Sequence, residues 1–300
     1  MLSLLSHIKQ GDTKALARAI SFIENEVTGY EELLLGMDAP AGKKVIGITG
    51  APGAGKSTLV DALIHLLVTD GKRVGILCVD PSSPFNLGAL LGDRIRMSEW
   101  YTHPQVYIRS LASRGSVGGL NPKIIEITDL MKQAPFDHII VETVGVGQTE
   151  IDIAGLADTT VVVVVPEGGD EVQTMKAGLM EIADVFVVNK GDRPGADQFV
   201  YNLQAMLAPA FYRKESEIAI VKTIASEGKG ILELWDKISA HQALSQQGDR
   251  QSTLLAEKAW QLIQHKKMAG IDKEELKAAL KKARPEEFNL YRFIKDWVAL

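Results

Sequence analysis

Through the first forty residues the apolar positions recur at intervals of three and four: Leu4, Leu5 and Ile8, then Leu16, Ala19, Ile20 and Ile23. That is the period of helices with one buried face. Gly11 separates the two runs, and Asp12 and Thr13 are available to cap the second. The stretch GMDAPAGKK closes this helical unit. From Val45 the pattern changes to short β-branched runs, VIGIT, RVGILCV, QVYI, HIIVE, TTVVVVV, DVFVVN and IAIVKT, separated by helical stretches. Strands apolar on both faces and alternating with helices predict an α/β fold, a mostly parallel sheet with helices on both sides. The sheet is expected to end near Thr223. Beyond GKGILELWDKISAHQALSQQ, a polar break at Gly248 to Ser252 leads into TLLAEKAWQLIQHKK, DKEELKAALKKA and EEFNLYRFIKDWVAL, which read as amphipathic helices rich in apolar area at Trp260, Leu290, Phe293 and Trp297.

Composition narrows the classes. The 300 residues are 46% hydrophobic and 24% charged, enough for one large core plus a smaller appended unit. A net charge of −5 argues against a sequence-independent nucleic-acid surface, which needs clustered Lys and Arg. The single cysteine, Cys78, lies in an apolar run and has no internal disulfide partner, which fits a reducing cytoplasm and a core-filling role. The N-terminal stretch lacks the basic and continuous apolar regions of a signal peptide. The longest apolar run, TTVVVVVP, is too short to span a bilayer. A cytoplasmic protein with neither a membrane nor a nucleic acid as partner is expected.

The chemistry is concentrated at strand ends. GAPGAGKS, Gly50 to Ser57, satisfies G-x-x-x-x-G-K-S/T between a strand and the helix STLVDALIHLLV. In such a P-loop, here Gly50, Ala51, Pro52, Gly53, Ala54, Gly55, Lys56, Ser57 and Thr58, glycines let backbone N–H groups face phosphate. Lys56 brings a point charge to the β and γ oxygens, and Ser57 offers a hydroxyl to Mg²⁺. The base is addressed by FVVNKGD, with Asn189, Lys190 and Asp192. Asp192 can accept from the N1–H and exocyclic amine of guanine, a donor pair adenine does not present, which favours GTP. In TIASEGKGI, the backbone N–H of Ala225 is placed to reach the guanine carbonyl. Asp80 ends VDPSSPF's strand, Asp93 lies in LGDRIRM and Glu142 in VETVGVGQTE. Three carboxylates could gather round Mg²⁺ and the attacking water.

Taken together and in order, GAPGAGKST, VDPSSPF, GDRIRM, SRGSVGGL, VETVGVGQTE, VVNKGD and EGKGI resemble the MeaB/ArgK (MMAA-type) GTPases. These are G-protein chaperones of adenosylcobalamin-dependent acyl-CoA mutases, of the SIMIBI class of P-loop proteins. Some members carry the older name of a lysine/arginine/ornithine transport-system kinase. The resemblance implies a GTPase domain over 43–247, after an N-terminal helical segment over 1–42 and before a C-terminal helical extension over 248–300, a possible dimerisation arm. It implies Mg²⁺ held by Ser57, Asp80, Asp93 and Glu142, with Glu142 and Gly145 sensing the γ-phosphate. It also implies Lys56, Asp93, Glu142 and Lys176 as the catalytic set, Lys176 belonging to the loop PEGGDEVQTMKAG tied to partner-stimulated hydrolysis. A homodimer and a mutase of the methylmalonyl-CoA type are the implied partners.

The chain departs from the pattern at Ser116, where many members have histidine, and beyond Gly248, where an arginine-rich helix is replaced. Gln148 is a candidate for positioning water, although its spacing from Gly145 differs from that of small GTPases. Arg94, Arg96, Arg109 and Arg114 are candidates for a catalytic arginine. No D-x-H-x-x-G signature is present, so the chain alone is expected not to bind cobalamin. Three other readings stay open: a nickel-type metal-insertion GTPase, an NTP-dependent kinase or ATPase acting on lysine/arginine/ornithine transport proteins, and a scaffold that binds GTP without turnover. The first needs clustered ligands, which six scattered histidines and one cysteine do not supply.

Overall fold

A computed structural model of the chain describes residues 2–39, 42–80, 97–113, 120–143, 149–166, 177–211, 218–244, 249–268, 273–282, 289–291 and 293–294. Its centre is one seven-stranded sheet. The strands are β1 (Val45–Gly50), β2 (Val74–Asp80), β3 (Val106–Ala112), β4 (His138–Glu142), β5 (Thr159–Val164), β6 (Val185–Val188) and β7 (Ala219–Lys222). They lie in the order β3-β2-β4-β1-β5-β6-β7, and every neighbouring pair is parallel. All seven β-branched runs are therefore strands. β1 and β2 are buried along their whole length, as strands covered on both faces must be.

Two layers of helix supply the cover. On one face, α4 (Lys56–Thr69) and α9 (Ile231–Leu244) pack Leu59, Leu63, Leu67, Leu234 and Ile238 against Ile46, Ile48, Ile76 and Val163. On the other lie α5 (Ile124–Gln133), α6 (Thr149–Leu156), α7 (Ala177–Ile182) and α8 (Ala196–Phe211), the last seating Phe199, Leu203 and Leu207 on Phe186 and Val188. Two glycines set how closely this layer approaches. A Cβ on Gly47 would lie 2.7 Å from Ile153 Cγ1, and one on Gly75 would lie 2.5 Å from Met131 Cε. Glycine in a strand here marks close helix approach.

The N-terminal run forms α1 (Leu2–Lys9), α2 (Thr13–Glu24) and a short α3 (Tyr30–Leu35). Asp12 caps α2, its carboxylate accepting from the N–H groups of Lys14 and Ala15 at 2.8 and 3.0 Å. Leu16, Ala19, Ile20 and Ile23 are buried, the face anticipated from the spacing. Trp100 pins residues 97–100 onto α4, its indole Nε1 donating to Asp61 Oδ1 at 2.7 Å.

The chain divides into two compact units, Met1–Gln251 and Ser252–Leu300. The expected break at Gly248 to Ser252 is helical from residue 249 onward, because α10 runs Asp249–Met268. Arg and Gln are good helix formers, and Asp and Ser are tolerated in a first turn, so polarity there did not mean a loop. A further helix, α11, spans Lys273–Lys282, and most of EEFNLYRFIKDWVAL lies outside the described residues. No helix among the described residues is long and apolar enough to cross a membrane.

Candidate functional site

The sheet order puts β1 between β4 and β5, so the loop leaving its C-terminal end sits where strand order reverses, the usual place for a ligand in an open α/β sheet. That loop is GAPGAGKS. Gly50 has φ 140°, and a Cβ there would lie 2.1 Å from the Val163 carbonyl oxygen. Gly55 has φ 88°, and a Cβ would lie 2.4 Å from Asn189 Nδ2. Only glycine satisfies both the backbone angle and the space at these two positions. Gly55 also opens α4 with no side-chain cap, so the helix presents N–H groups and the positive end of its dipole to the loop. Lys56 is buried, and its ammonium donates to the carbonyl oxygens of Gly50 and Ala51 at 2.9 and 3.1 Å. The side chain thus curls over the loop that an incoming phosphate would occupy.

On the phosphate side, Ser57 Oγ donates to Glu142 Oε1 at 2.6 Å, both residues buried. This bond links the first turn of α4 to the end of β4. The Cys78 thiol, opposite Glu142 in the β2–β4 register, lies 3.9 Å from the other carboxylate oxygen. Asp80, buried at the end of β2, completes this edge, and its carbonyl accepts from the N–H of Ser113 at 3.0 Å. A hydroxyl from the first turn of α4 and two carboxylates at the ends of the neighbouring strands β2 and β4 form the hard oxygen set that Mg²⁺ prefers, so the residues present fit that ion. No group of three or more His, Cys, Asp or Glu is placed to hold a metal among the described residues. The third expected acid, Asp93, lies outside them, as do Lys176, Gly145, Gln148, Ser116, Arg94, Arg96 and Arg114. Arg109 is described and points elsewhere, with Nη2 3.1 Å from Glu24 Oε2. It is not a catalytic arginine in this geometry.

The base side is organised by Asn189, which follows β6. Its amide nitrogen donates to the Ala54 carbonyl of the P-loop at 2.9 Å. Its oxygen accepts from Thr223 Oγ1 and from the Ala225 N–H, each at 3.1 Å. One buried side chain therefore ties together the phosphate loop, the end of β7 and the ASE turn at Ala225–Glu227. The Ala225 N–H, expected to reach the guanine carbonyl, donates here to Asn189 Oδ1, so it lies at the Asn189 end of the site. Lys190 takes φ 56°, the left-handed conformation, and Asp192 is an exposed residue.

Residues that motif reasoning passed over complete the frame. Thr143, one position beyond Glu142, donates from its hydroxyl to Thr49 Oγ1 at 2.9 Å and from its N–H to the Ile48 carbonyl at 3.0 Å. Threonines adjoining both P-loop and strand-end acid were the only available signal. They fasten the end of β4 to β1.

A family model described as methylmalonyl Co-A mutase-associated GTPase MeaB matches residues 16–281. A putative GTPase of Pyrococcus abyssi is 44% identical over 291 residues, covering 95% of this chain and 89% of its own length. The GTPase ArgK of Escherichia coli is 35% identical over 243 residues, covering 78% of this chain and 73% of its own. Among solved structures, a LAO/AO transport system kinase superposes with a TM-score of 0.66 at 25% identity, covering 98% of this chain and 95% of that one.

Proposed function

Because the chain belongs to the MeaB family of methylmalonyl-CoA mutase-associated GTPases, we propose that it uses GTP hydrolysis to gate cofactor loading and protection of an adenosylcobalamin-dependent acyl-CoA mutase of the methylmalonyl-CoA type. It is a GTPase with a P-loop fold, and GTP, GDP and Mg²⁺ are the ligands its family implies. The observation that carries the reading is the hydrogen bond from Ser57 to Glu142, which joins the phosphate loop to the strand that leads into the 144–148 segment.

In hydrolysis, water attacks the γ-phosphorus and the bond to the β,γ-bridging oxygen breaks, leaving GDP and phosphate. Lys56 exchanges the Gly50 and Ala51 carbonyls for β- and γ-phosphate oxygens, trading neutral acceptors for charged ones. The neutralisation of phosphoryl charge that Mg²⁺ supplies is provided for by Ser57, Glu142 and Asp80, with Asp93 as the fourth ligand residue. Ser57 and Glu142 would turn their oxygens from each other toward that ion, and Glu142, as the last residue of β4, would tie the site to that strand. Asp192 reads the guanine edge, with Asn189 holding its loop against the P-loop and Lys190 beside it. Lys176 is assigned to partner-stimulated turnover by resemblance. The mutase is the client, the chain alone does not hold cobalamin, and the compartment is the cytoplasm. Exposed Leu255, Trp260, Leu262 and Ile263 on α10 support self-association as a homodimer.

Steady-state hydrolysis of GTP and ATP by the purified protein, with and without acyl-CoA mutases, tests the proposal. A GTP-selective rate that rises when one mutase is added is the expected outcome. Turnover indifferent to every mutase would remove the chaperone role and leave a GTPase with another client. Transfer of labelled γ-phosphate to a transport protein would favour a kinase instead.

A further inference from the structure

Two cations flanking residues 114–119 reach back to the N-terminal helices. Arg109, in the middle of β3, donates from Nη2 to Ser21 Oγ and Glu24 Oε2, each at 3.1 Å, on the last turns of α2. Lys123, just before α5, places Nζ 2.7 Å from Glu26 Oε1 and 3.9 Å from Glu126 Oε1, over the Tyr30 ring at 4.9 Å from its centroid. Glu26 takes φ 48° in the turn between α2 and α3, a conformation that costs a non-glycine residue free energy. The Lys123 side chain is only 10% exposed, while that of Glu26 is 54% exposed, so the pair sits at the edge of the packed region.

From these cations a short relay leads to the phosphate end of the sheet. Asn121 donates from Nδ2 to the Ala112 carbonyl at 2.8 Å and accepts from the Lys123 N–H at 2.8 Å. The next residue after Ala112, Ser113, donates its N–H to the Asp80 carbonyl. Stability alone is a poor reason for such cations. The N-terminal helices already bury Leu16, Ile20 and Ile23, and partly exposed ion pairs add little net free energy compared with apolar packing. What they add is geometry, at two points that bracket one stretch of chain.

We infer that Arg109 and Lys123 are positioning residues for GTP hydrolysis, bracing α2 and the following turn against β3 and α5 so that Ser113 fixes the backbone of Asp80. The N-terminal helices thereby become part of the GTPase machinery. This rests on the reading of Asp80 as a magnesium-site acid.

Arg109→Met, Lys123→Met and Glu26→Gln, each made in the full chain, test the brace. The expected result is a kcat lowered about three- to ten-fold, the range seen when an energetic coupling is cut away from the ligand, with the KM for GTP within about two-fold. Lys123→Arg, which keeps the cation, restores the rate. Ile20→Val supplies the packing control: it loosens α2 and lowers Tm without touching either cation, and keeps wild-type kcat. Wild-type kcat in both Met variants would overturn the inference, as would an equal loss in Ile20→Val at matched Tm. Asp80→Ala run alongside separates the two readings. If Asp80→Ala keeps the wild-type rate, the magnesium-site assignment falls and the brace through Asp80 falls with it; if Asp80→Ala loses turnover while both Met variants keep the wild-type kcat, the brace alone is overturned.

Discussion

Asp192 stands exposed at the mouth of the base site while Asn189, three residues earlier, is buried and bonded in three directions. The two therefore have separable roles: Asn189 builds the loop and Asp192 reads the ligand. Asp192→Asn exchanges an acceptor pair for one acceptor and one donor. GTP affinity is expected to fall at least about a hundred-fold, since a site made to hydrogen-bond a group discriminates strongly against its mismatch. Xanthosine triphosphate, which carries a carbonyl where guanine has its amine, should gain in proportion, and competition binding measures both. His138 offers a second residue-scale test. Burial against Trp235, whose ring meets it edge-on at 4.7 Å, pushes the imidazole below its ordinary value; Asp137 opposes that and Lys72 reinforces it. A depressed folded-state value means that the unfolded chain takes up the proton first. Stability is thus complete above the unfolded value near 6.5 and is lost as pH falls from there through the folded value. Thermal melts between pH 7.5 and pH 5 should show a shallower decline in His138→Gln than in the wild type.

At the scale of elements, β1 approaches α6 closely: a Cβ on Gly47 would lie 2.7 Å from Ile153 Cγ1 and 2.9 Å from the Ala157 Cβ. Gly47→Val has no room to enter, and overpacking of this kind costs about 1–3 kcal/mol. A lower denaturation midpoint with an unchanged m-value is the expected result in urea, and an unchanged midpoint would show that α6 can shift without cost. The elements also show what could be read in advance. The central strands were visible because a parallel strand buried on both faces is written as a β-branched run, and α2 because its apolar period and Asp12 cap are local. Glu142 was visible through its motif, but its bond to Ser57 depends on β4 lying beside β1, which only the folded sheet order decides. Arg109 and Lys123 looked like ordinary strand and helix-end cations. Their partners, Glu24 and Glu26, lie far away along the chain and meet them only when the N-terminal helices dock. The polar residues at 249–252 misled in the opposite direction, since a solvated helix and a loop share their composition.

At the scale of the molecule, every described residue assigned to phosphate, magnesium or base belongs to the unit Met1–Gln251, including Lys56, Ser57, Asp80, Glu142, Asn189, Asp192 and Ala225. The unit Ser252–Leu300 supplies none of them. It carries most of α10 and all of α11, on which Leu255, Trp260, Leu262, Ile263 and Leu280 stand exposed. Apolar area of that kind, on helices remote in sequence from the chemistry, suits association more than catalysis. A chain stopped after Gln251 keeps the whole sheet and both of its helical layers, because α9 ends at Leu244. Such a chain should bind GTP and hydrolyse it at a basal rate within about two-fold of the full protein, since none of the phosphate-binding groups is removed. Light scattering should give the mass of a single copy for the shortened chain and of two copies for the full one. If instead the shortened chain folds, as circular dichroism would report, yet loses turnover, then the C-terminal unit takes part in the chemistry and the division of labour drawn between the two units is wrong.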